Sequence, residues 1–240
     1  MTTIIKGQPT SAEIRKQLKE MNMPVILQFS CGKDSIATWI ALADEGIEVF
    51  PCYLHLVPGL QFIREEIDYF QEVFDTKINE YIHPGLYRQI GKSMVAQPPE
   101  RIGVISGWHY SDQTYDQFWD SVRKFEGLPE DCYLADGIRA CDSPVRRTSF
   151  VQHGIMKKAH KKVSPIADWT DTEVKTCITE RGIELPIDYK LFGRSFDGCD
   201  YRFIKPLKEH LPEDYERVLE LFPLADADIF RREELEVPNG

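Results

Sequence analysis

Short apolar runs alternate along the chain with longer stretches in which apolar residues recur at helical spacing. The first run, 24–29, predicts a buried strand, and the apolar-rich stretch 34–44 that follows predicts a helix covered on most sides. Further strands are predicted at 48–56, 77–82, 131–135 and 162–166, and further helices at 60–74 and 115–125. This alternation predicts an α/β fold, a Rossmann-like and mostly parallel five-stranded sheet flanked by helices, with a helical C-terminal extension.

Helix starts are marked by capping residues. Thr10 with Glu13, and Thr170 with Glu173, have the spacing of a capping box, and Ser143 precedes a proline that would occupy the first helical position. We therefore expect helices over about 10–19 and 170–181, and another that begins at Ser143. Two prolines and several glycines predict an irregular connection over 91–111.

The domain organisation follows from this order of elements. We expect an α/β domain over 1–166, and a helical extension over 167–240 that packs on the same domain. No run of about 18 uncharged apolar residues is present, which predicts that the protein does not span a membrane. The N-terminus lacks the features of a secretion signal, and we expect a cytoplasmic protein.

Composition narrows the chemistry. A net charge of −10 over 240 residues argues against a surface coated for nucleic-acid binding. The cysteines show no C-x-x-C spacing, so we expect reduced thiols. The alternative is an iron–sulfur cluster or metal site assembled from scattered residues such as Cys132, Cys141 and Cys199, which the spacing does not support. The cysteines are Cys31, Cys52, Cys132, Cys141, Cys177 and Cys199.

The segment between the first strand and the next helix has the composition of an anion site. The first amides of a helix lack backbone partners and carry the positive end of its dipole, and they favour a bound phosphate. A glycine allows close approach, a lysine adds a charge, and two hydroxyls can donate hydrogen bonds. Aspartate is unfavourable beside phosphate, so we expect it to face away, as a helix-start residue or a magnesium ligand. The residues are Ser30, Cys31, Gly32, Lys33, Asp34 and Ser35.

This segment resembles the S-x-G-K-D-S signature of the PP-loop superfamily, which includes ATP pyrophosphatases and phosphoadenylyl-sulfate reductases. It is not a Walker loop, because G-x-x-x-x-G-K-[ST] is absent. The usual superfamily form is S-G-G-K-D-S, and Cys31 stands in place of the first glycine. Cys31 must therefore adopt a conformation outside the left-handed region or tolerate strain.

A second segment is rich in arginine and follows the fourth strand. It resembles the G-[IL]-R-x-x-x-S-x-x-R element that closes over the nucleotide in this superfamily. A glycine permits a turn, the first arginine presents a planar donor fork, and the Ser143 helix directs its amides at the same space. The alternative is that these arginines pair with surface carboxylates. The candidate residues are Gly137, Ile138, Arg139, Arg146 and Arg147. The stretch 164–169 also resembles the superfamily's P-[IL]-x-x-W element, with Trp169 expected in the core.

Two positions depart from the family pattern. At the end of the second strand many members carry an acidic residue, whereas this chain has His55, a candidate catalytic residue or a structural one. Reductases of the family carry a nucleophilic cysteine near the C-terminus, and here no cysteine follows Cys199. For Cys199 we expect an inert thiol rather than a nucleophile.

Three functions are compatible with the sequence. The first is an enzyme that cleaves ATP between the α and β phosphates and adenylates an unknown acceptor, with Lys33, Arg139, His55 and Mg²⁺ assisting. The second is a sulfonucleotide reductase or transferase acting on phosphoadenylyl sulfate (PAPS) or adenylyl sulfate (APS). The third is a non-catalytic nucleotide-binding subunit, in a homodimer or with a partner. The basic segment 139–162 permits a nucleic-acid acceptor, a local anion site, or simply a solvated face.

Overall fold

The computed structural model describes residues 3–86, 90, 97–107 and 113–236, and the side chains up to residue 233. A six-stranded sheet has the order β3-β2-β1-β4-β6-β5. β1 is parallel to β2 and β4, β4 is parallel to β6, and β5 is antiparallel to β6. The strands are β1 (Val25–Phe29), β2 (Val49–His55), β3 (Asn79–Ile82), β4 (Leu134–Ala135), β5 (Met156–Lys157) and β6 (Lys162–Val163).

Helices connect and flank these strands. The α-helices are α1 (Ser11–Glu20), α2 (Lys33–Asp44), α3 (Gln61–Phe74), α4 (Pro99–Ser106), α5 (Tyr115–Phe125), α6 (Pro144–His153), α7 (Asp171–Glu180), α8 (Ile187–Phe192), α9 (Tyr201–His210), α10 (Pro212–Leu221) and α11 (Ala227–Glu236). The predicted α/β class and mostly parallel sheet are confirmed. The strand count was wrong, because β5 is only two residues long and too short to give a periodic signal.

The described residues form two compact units. The first lies within 1–54, 73–80 and 115–185, and the second within 55–72, 81–114 and 186–240. The predicted division of the chain at residue 166 stays a prediction.

In the first unit, α2 packs on β1 and α7. The apolar residues predicted to bury α2 are buried, and its Trp39 ring stacks on Phe74 with centroids 4.0 Å apart and meets Phe29 edge-on. Burial of large aromatic side chains stabilises such a contact by roughly 2–3 kcal/mol each. The helix that follows the first strand is thereby fixed against the sheet at its apolar face.

The predicted caps are present. Thr10 and Thr170 each complete a capping box, and the Ser143 hydroxyl accepts a hydrogen bond from the Arg146 amide with a proline at the first helical position. The start of α1 is held a second time, because the buried Asp168 carboxylate accepts from the Ser11 amide at 2.9 Å. These bonds satisfy amides that a helix start leaves without partners.

In the second unit, four aromatic rings pack edge-to-face around α8 and α9: Phe62, Phe192, Phe196 and Phe203. The buried Asp214 carboxylate of α10 accepts from the Gln61 amide at 2.5 Å and from the Phe62 amide at 3.3 Å. It therefore caps α3 from a distant part of the chain. Arg217 of the same helix donates to the Pro58 carbonyl at 2.8 Å.

One prediction about this unit fails. The segment 91–111 was expected to be irregular, but Pro99–Ser106 is an α-helix that starts with proline at its first turn. Residues 91–96 and 108–111 lie outside the described residues. No helix in the described ranges is long and apolar enough to cross a membrane.

Candidate anion-binding site

The order of the strands places a crevice next to the first strand. The chain passes from β1 to β2 on one side, whereas β4 pairs with β1 on the other. In open α/β sheets, ligands bind beyond the carboxyl ends of the strands at such a switch point. The two segments singled out from the sequence follow β1 and β4, so both lie at this edge.

The first of them, Ser30–Ser35, is a compact turn that leads directly into α2. Ser35 donates from its hydroxyl to the Gly32 carbonyl at 2.8 Å, and its oxygen accepts from the Ser30 amide at 3.2 Å. The Ser30 hydroxyl lies 3.2 Å from that of Ser35 and accepts from the Gly32 amide at 3.4 Å. These hydrogen bonds shape the loop, and the predicted role of the two hydroxyls as phosphate donors stays a prediction.

Gly32 is the N-cap of α2 and makes no side-chain cap. The first intrahelical bond runs from the Ile36 amide to the Gly32 carbonyl, 3.0 Å away. The amides of the first turn therefore have no acceptor within the helix, and they share the positive end of its dipole. This is the arrangement of an anion site at a helix start.

Cys31 resolves the alternative left open by the sequence. Its φ is +56°, in the left-handed region, and its side chain is fully buried. A non-glycine residue in this region is strained by roughly 1 kcal/mol or more. The loop therefore keeps the backbone that a glycine would adopt, and the surrounding structure holds Cys31 in it.

Gly137 is required for close packing rather than for the predicted turn. A Cβ at this position would lie 2.8 Å from the Asp34 carbonyl carbon and 2.9 Å from its oxygen. No left-handed φ is present at Gly137. The second segment thus touches the backbone of the first, and any larger residue would force the two loops apart.

Two cations and two aspartates meet between these loops. Lys33 Nζ lies 3.0 Å from Asp34 Oδ1 and 2.8 Å from Asp171 Oδ1. Arg139 Nε lies 3.0 Å from the same Asp34 oxygen, and its Nη2 lies 3.5 Å from the same Asp171 oxygen. Arg139 Nη2 also lies 3.0 Å from Asp142 Oδ1. Asp34 and Asp171 therefore each bridge the two cations that were predicted to bind phosphate, whereas Asp142 contacts only Arg139 of the two.

Arg139 is the most buried member of this cluster, with 4% of its side chain exposed. Its Nη1 has no hydrogen-bond partner within the described part of the chain. A buried guanidinium nitrogen without an acceptor is costly, by about 1–3 kcal/mol. Such an atom at a site of this kind indicates that an acceptor is still to be supplied.

Asp34 is the shared partner of the two cations, and its orientation relative to a bound phosphate stays a prediction. Asp171 was missed. It is the first residue of α7, and the neighbouring Lys175 and Lys33 hold the pKa of its carboxyl below the usual range. The signal available in the sequence was an aspartate directly after a capping threonine, inside the P-[IL]-x-x-W element. That signal also fits an ordinary helix-start acid.

The remaining arginines of the second segment behave differently from Arg139. Arg146 is half exposed and pairs with Asp142 at 2.5 Å, which matches the alternative of pairing with a carboxylate. Arg147 donates to the Ile4 carbonyl at 3.1 Å, away from the loop. Ile138 is half-buried, and its amide donates to Asp136 at 3.2 Å. Burial raises the pKa of the Asp136 carboxyl. The hydrogen bond that this carboxyl accepts from Ser164 at 2.6 Å acts in the opposite direction and lowers the pKa.

His55 and Cys199 belong to the second unit. His55 is half-buried at the last position of β2, and its carbonyl accepts from the His83 amide at 2.9 Å. Its catalytic role stays a prediction. Burial and the neighbouring Asp200 raise the pKa of the Cys199 thiol to about 12, which suppresses the thiolate that a nucleophile needs.

The other cysteines are also free thiols. Burial raises the pKa of Cys52 and Cys132, and Cys132 Sγ donates to the Pro24 carbonyl at 2.9 Å. These are properties of small core side chains. In the described ranges, no group of three or more histidine, cysteine, aspartate and glutamate side chains is arranged to hold a metal ion. The expected magnesium therefore stays a prediction.

The end of the basic segment, residues 160–162, pairs with aspartates of a neighbouring helix. Lys162 and His160 pair with Asp116 at 3.0 and 2.7 Å, and Lys161 pairs with Asp120 at 3.3 Å. Both aspartates lie on α5. This is the pattern of a solvated charged face, and it offers no particular support for a nucleic-acid acceptor.

These observations define a class: an α/β protein with a candidate anion site at the switch point of its sheet. Comparison with known proteins is consistent with that class. The family described as "Phosphoadenosine phosphosulfate reductase domain" matches residues 24–197. Because this match spans most of the chain, the protein belongs to that family, within the PP-loop superfamily.

Solved structures give weaker similarity. A predicted subunit of tRNA methyltransferase from Methanocaldococcus jannaschii is 18% identical with a TM-score of 0.41, over 80% of this chain and 91% of that one. An NH3-dependent NAD synthetase from Campylobacter jejuni is 13% identical with a TM-score of 0.42, over 96% of this chain and 95% of that one. No curated protein matches.

Proposed function

We propose that the protein binds an adenine nucleotide with its phosphates at the start of α2, and that it cleaves ATP between the α and β phosphates. The observation that carries the proposal is the meeting of Lys33 with a buried Arg139 that retains an unpartnered nitrogen, beside the uncapped helix start. Two cations from different loops, together with helix amides, are suited to a di- or triphosphate.

The proposed chemistry is the transfer of an adenylyl group. An oxygen of the acceptor attacks the α-phosphorus, and the bond from that phosphorus to the α–β bridging oxygen breaks. Pyrophosphate leaves with the electron pair of that bond and takes up the positions facing Lys33 and Arg139. These side chains offset the charge that develops on the leaving group, which is the main way in which a protein assists phosphate transfer. His55 is retained as a candidate catalytic residue.

Magnesium fits the donor set around the loop. Carboxylate oxygens are the ligands it prefers, and Asp34 and Asp171 are the carboxylates next to Lys33. Once phosphates occupy the two cations, these carboxylates no longer pair with Lys33 and Arg139, and they are the residues that would hold the ion. Bound there, Mg²⁺ would neutralise part of the phosphate charge.

A second candidate is reduction of a sulfonucleotide, PAPS or APS, which the family's name favours. The raised pKa of Cys199 argues against that thiol as the nucleophile. A third is a nucleotide-binding subunit that works in a homodimer or with another protein. We also propose that the protein is cytoplasmic.

Pyrophosphate release separates these candidates. The purified protein is incubated with Mg²⁺ and ATP over a panel of hydroxyl, carboxylate and amine acceptors, and pyrophosphate is measured. Release that depends on one acceptor supports adenylyl transfer. ATP binding without release across the panel indicates the binding subunit. Sulfite release from PAPS or APS in the presence of a thiol indicates the reductase instead.

A further inference from the structure

Asp171 reaches from the start of α7 to both cations of the anion site. Its Oδ1 lies 2.8 Å from Lys33 Nζ and 3.5 Å from Arg139 Nη2. The complete capping box between Thr170 and Glu173 fixes the helix start, and α7 packs on α2, the helix that carries Lys33. The fold itself therefore places this carboxylate at the two cations.

A carboxylate oxygen at this position resembles a phosphate oxygen in its chemistry. It is anionic, it only accepts hydrogen bonds, and it lies at charge-assisted distance from the lysine. It does not complete the site, however, because Arg139 Nη1 still has no partner within the described residues. The two cations thus pair with an internal anion that satisfies Arg139 only in part.

Asp171 also contacts a third cation, which lies outside the site. Its Oδ2 lies 2.8 Å from Lys175 Nζ, one helical turn further along α7, and the lysine side chain is 67% exposed. A carboxylate displaced from Lys33 and Arg139 therefore keeps an ion pair. This lowers the electrostatic penalty of its displacement.

We propose that Asp171 is an internal competitor for the ligand's phosphates: its carboxylate occupies Lys33 and Arg139 in the empty site, and an incoming phosphate must displace it. The inference rests on the proposed function, because it assumes that Lys33 and Arg139 bind the phosphates. A singly charged ligand only exchanges one anion for another, whereas a pyrophosphate end brings additional charge. Asp171 therefore makes the site selective for ligands with two or more negative charges.

The test is to titrate inorganic pyrophosphate into the wild-type protein and into the Asp171→Asn variant, and to measure binding by calorimetry. EDTA is present in both titrations, so that a lost metal ligand does not contribute. Asparagine keeps the shape and removes the charge. We expect pyrophosphate to bind about fivefold more tightly to the variant, which corresponds to one partly exposed ion pair. We expect formate, a singly charged anion, to gain at least as much affinity, so that the preference for pyrophosphate over a singly charged anion becomes smaller in the variant.

Asp44→Asn is the matched control. Asp44 ends α2, roughly 16 Å along the helix from Lys33 at 1.5 Å per residue, and pairs with the exposed Arg181. The substitution changes the net charge by the same amount. Its affinity for pyrophosphate is expected to stay that of the wild type. An equal gain in both variants would overturn the inference in favour of a general charge effect.

A second variant gives an effect of opposite sign and leaves Asp171 in place. Lys175→Met removes the cation that receives the displaced carboxylate, and we expect pyrophosphate to bind about twofold more weakly. Unchanged or weaker binding in Asp171→Asn, with wild-type binding intact, overturns the inference but leaves the proposed function standing. If neither protein binds pyrophosphate or ATP, with or without Mg²⁺, the proposed function falls and the inference falls with it.

Discussion

Two regions of the first unit bring basic side chains against aspartates, and they differ in how they do so. In the basic segment, Lys161 and Lys162 pair with Asp120 and Asp116 of a single helix, and all four side chains are at least 31% exposed. At the anion site the cations come from two loops and the aspartates from three elements. There Arg139 is almost completely buried.

The difference separates a charged surface from a site. Exposed pairs are screened by water and each contributes no more than about 1 kcal/mol. Buried guanidinium groups normally have acceptors for their N–H donors. Arg139 retains a donor nitrogen, Nη1, that has no acceptor among the described residues. Both regions also contain a left-handed residue that is not glycine, Cys31 and Lys161, so backbone strain alone does not distinguish them.

The largest effect is expected from Arg139→Lys. Lysine cannot reproduce the planar fork that contacts Asp34 and Asp142 at once, and it provides fewer donors for a phosphate at this position. We expect the affinity for ATP to fall about ten- to hundredfold, the effect of losing a charge-assisted hydrogen bond. Isothermal titration measures it.

Arg146→Lys is the control for that variant. Arg146 is half exposed and contacts only Asp142 among the ion pairs of the site. Its replacement should change ATP affinity by less than about threefold. If both substitutions weaken binding equally, burial does not mark the functional arginine.

Gly137→Ala tests the contact between the two loops. The added Cβ would lie 2.8 Å from the Asp34 backbone, and relief requires the loops to separate. Overpacking of this kind costs about 1–3 kcal/mol, which denaturant unfolding would detect together with weaker ATP binding. Gly103→Ala, a position inside a helix with nothing within 4 Å of the new Cβ, should leave ATP affinity unchanged and stabilise the fold by up to about 1 kcal/mol. A stable Gly137→Ala protein with unchanged ATP affinity would contradict the role of this contact.

A smaller effect on stability is expected at Cys31, where the informative result is which of two variants is the more stable. Alanine keeps the left-handed strain and removes the sulfur, whereas glycine removes both the sulfur and the strain. We expect Cys31→Gly to be more stable than Cys31→Ala by roughly 1 kcal/mol, although glycine fills less of the buried space. Thermal unfolding compares them. The reverse order would show that packing of the Cβ outweighs the backbone strain.

The smallest effect is expected from Asp116→Asn in the basic segment. His160 and Lys162 hold the pKa of the Asp116 carboxyl below its usual value of 3.8. The ionised form therefore stabilises the fold above that pH, and this contribution is lost as the pH falls toward the lowered pKa. Because the side chains are exposed, we expect a loss of less than about 1 kcal/mol at pH 7, vanishing in acid, and unchanged ATP affinity. Denaturant unfolding at several pH values measures the loss of stability, and calorimetric titration measures the affinity for ATP.

Much of the fold was predictable because its signals are local. The helix starts at Ser11, Pro144 and Asp171 were marked by side chains that bond to neighbouring amides. β5 was missed because two residues are too few to give a periodic signal. The helix Pro99–Ser106 was missed because it lies among residues typical of turns. The cap that Asp214 provides for α3 joins positions more than 150 residues apart, and no local pattern predicts it.

The site was predictable to a different extent. The loop that contains Lys33 and the one that contains Arg139 could be found, since each has a recognisable spacing. Arg139 is buried, whereas Arg146 and Arg147 are not. This difference depends on the packing of α6, and the sequence does not reveal it because all three residues are arginines. Asp171 was missed for the same reason: only the packing of α7 on α2 brings it to Lys33.

The most direct test of the account is the binding of ATP to Lys33→Ala, with Lys161→Ala as the matched loss of a surface lysine. Calorimetric titration of ATP, APS and PAPS into both variants and the wild type would also identify the preferred nucleotide. We expect Lys33→Ala to lose at least about tenfold in affinity, and Lys161→Ala to bind as the wild type does. Unchanged nucleotide binding in Lys33→Ala would contradict the assignment of the phosphate site.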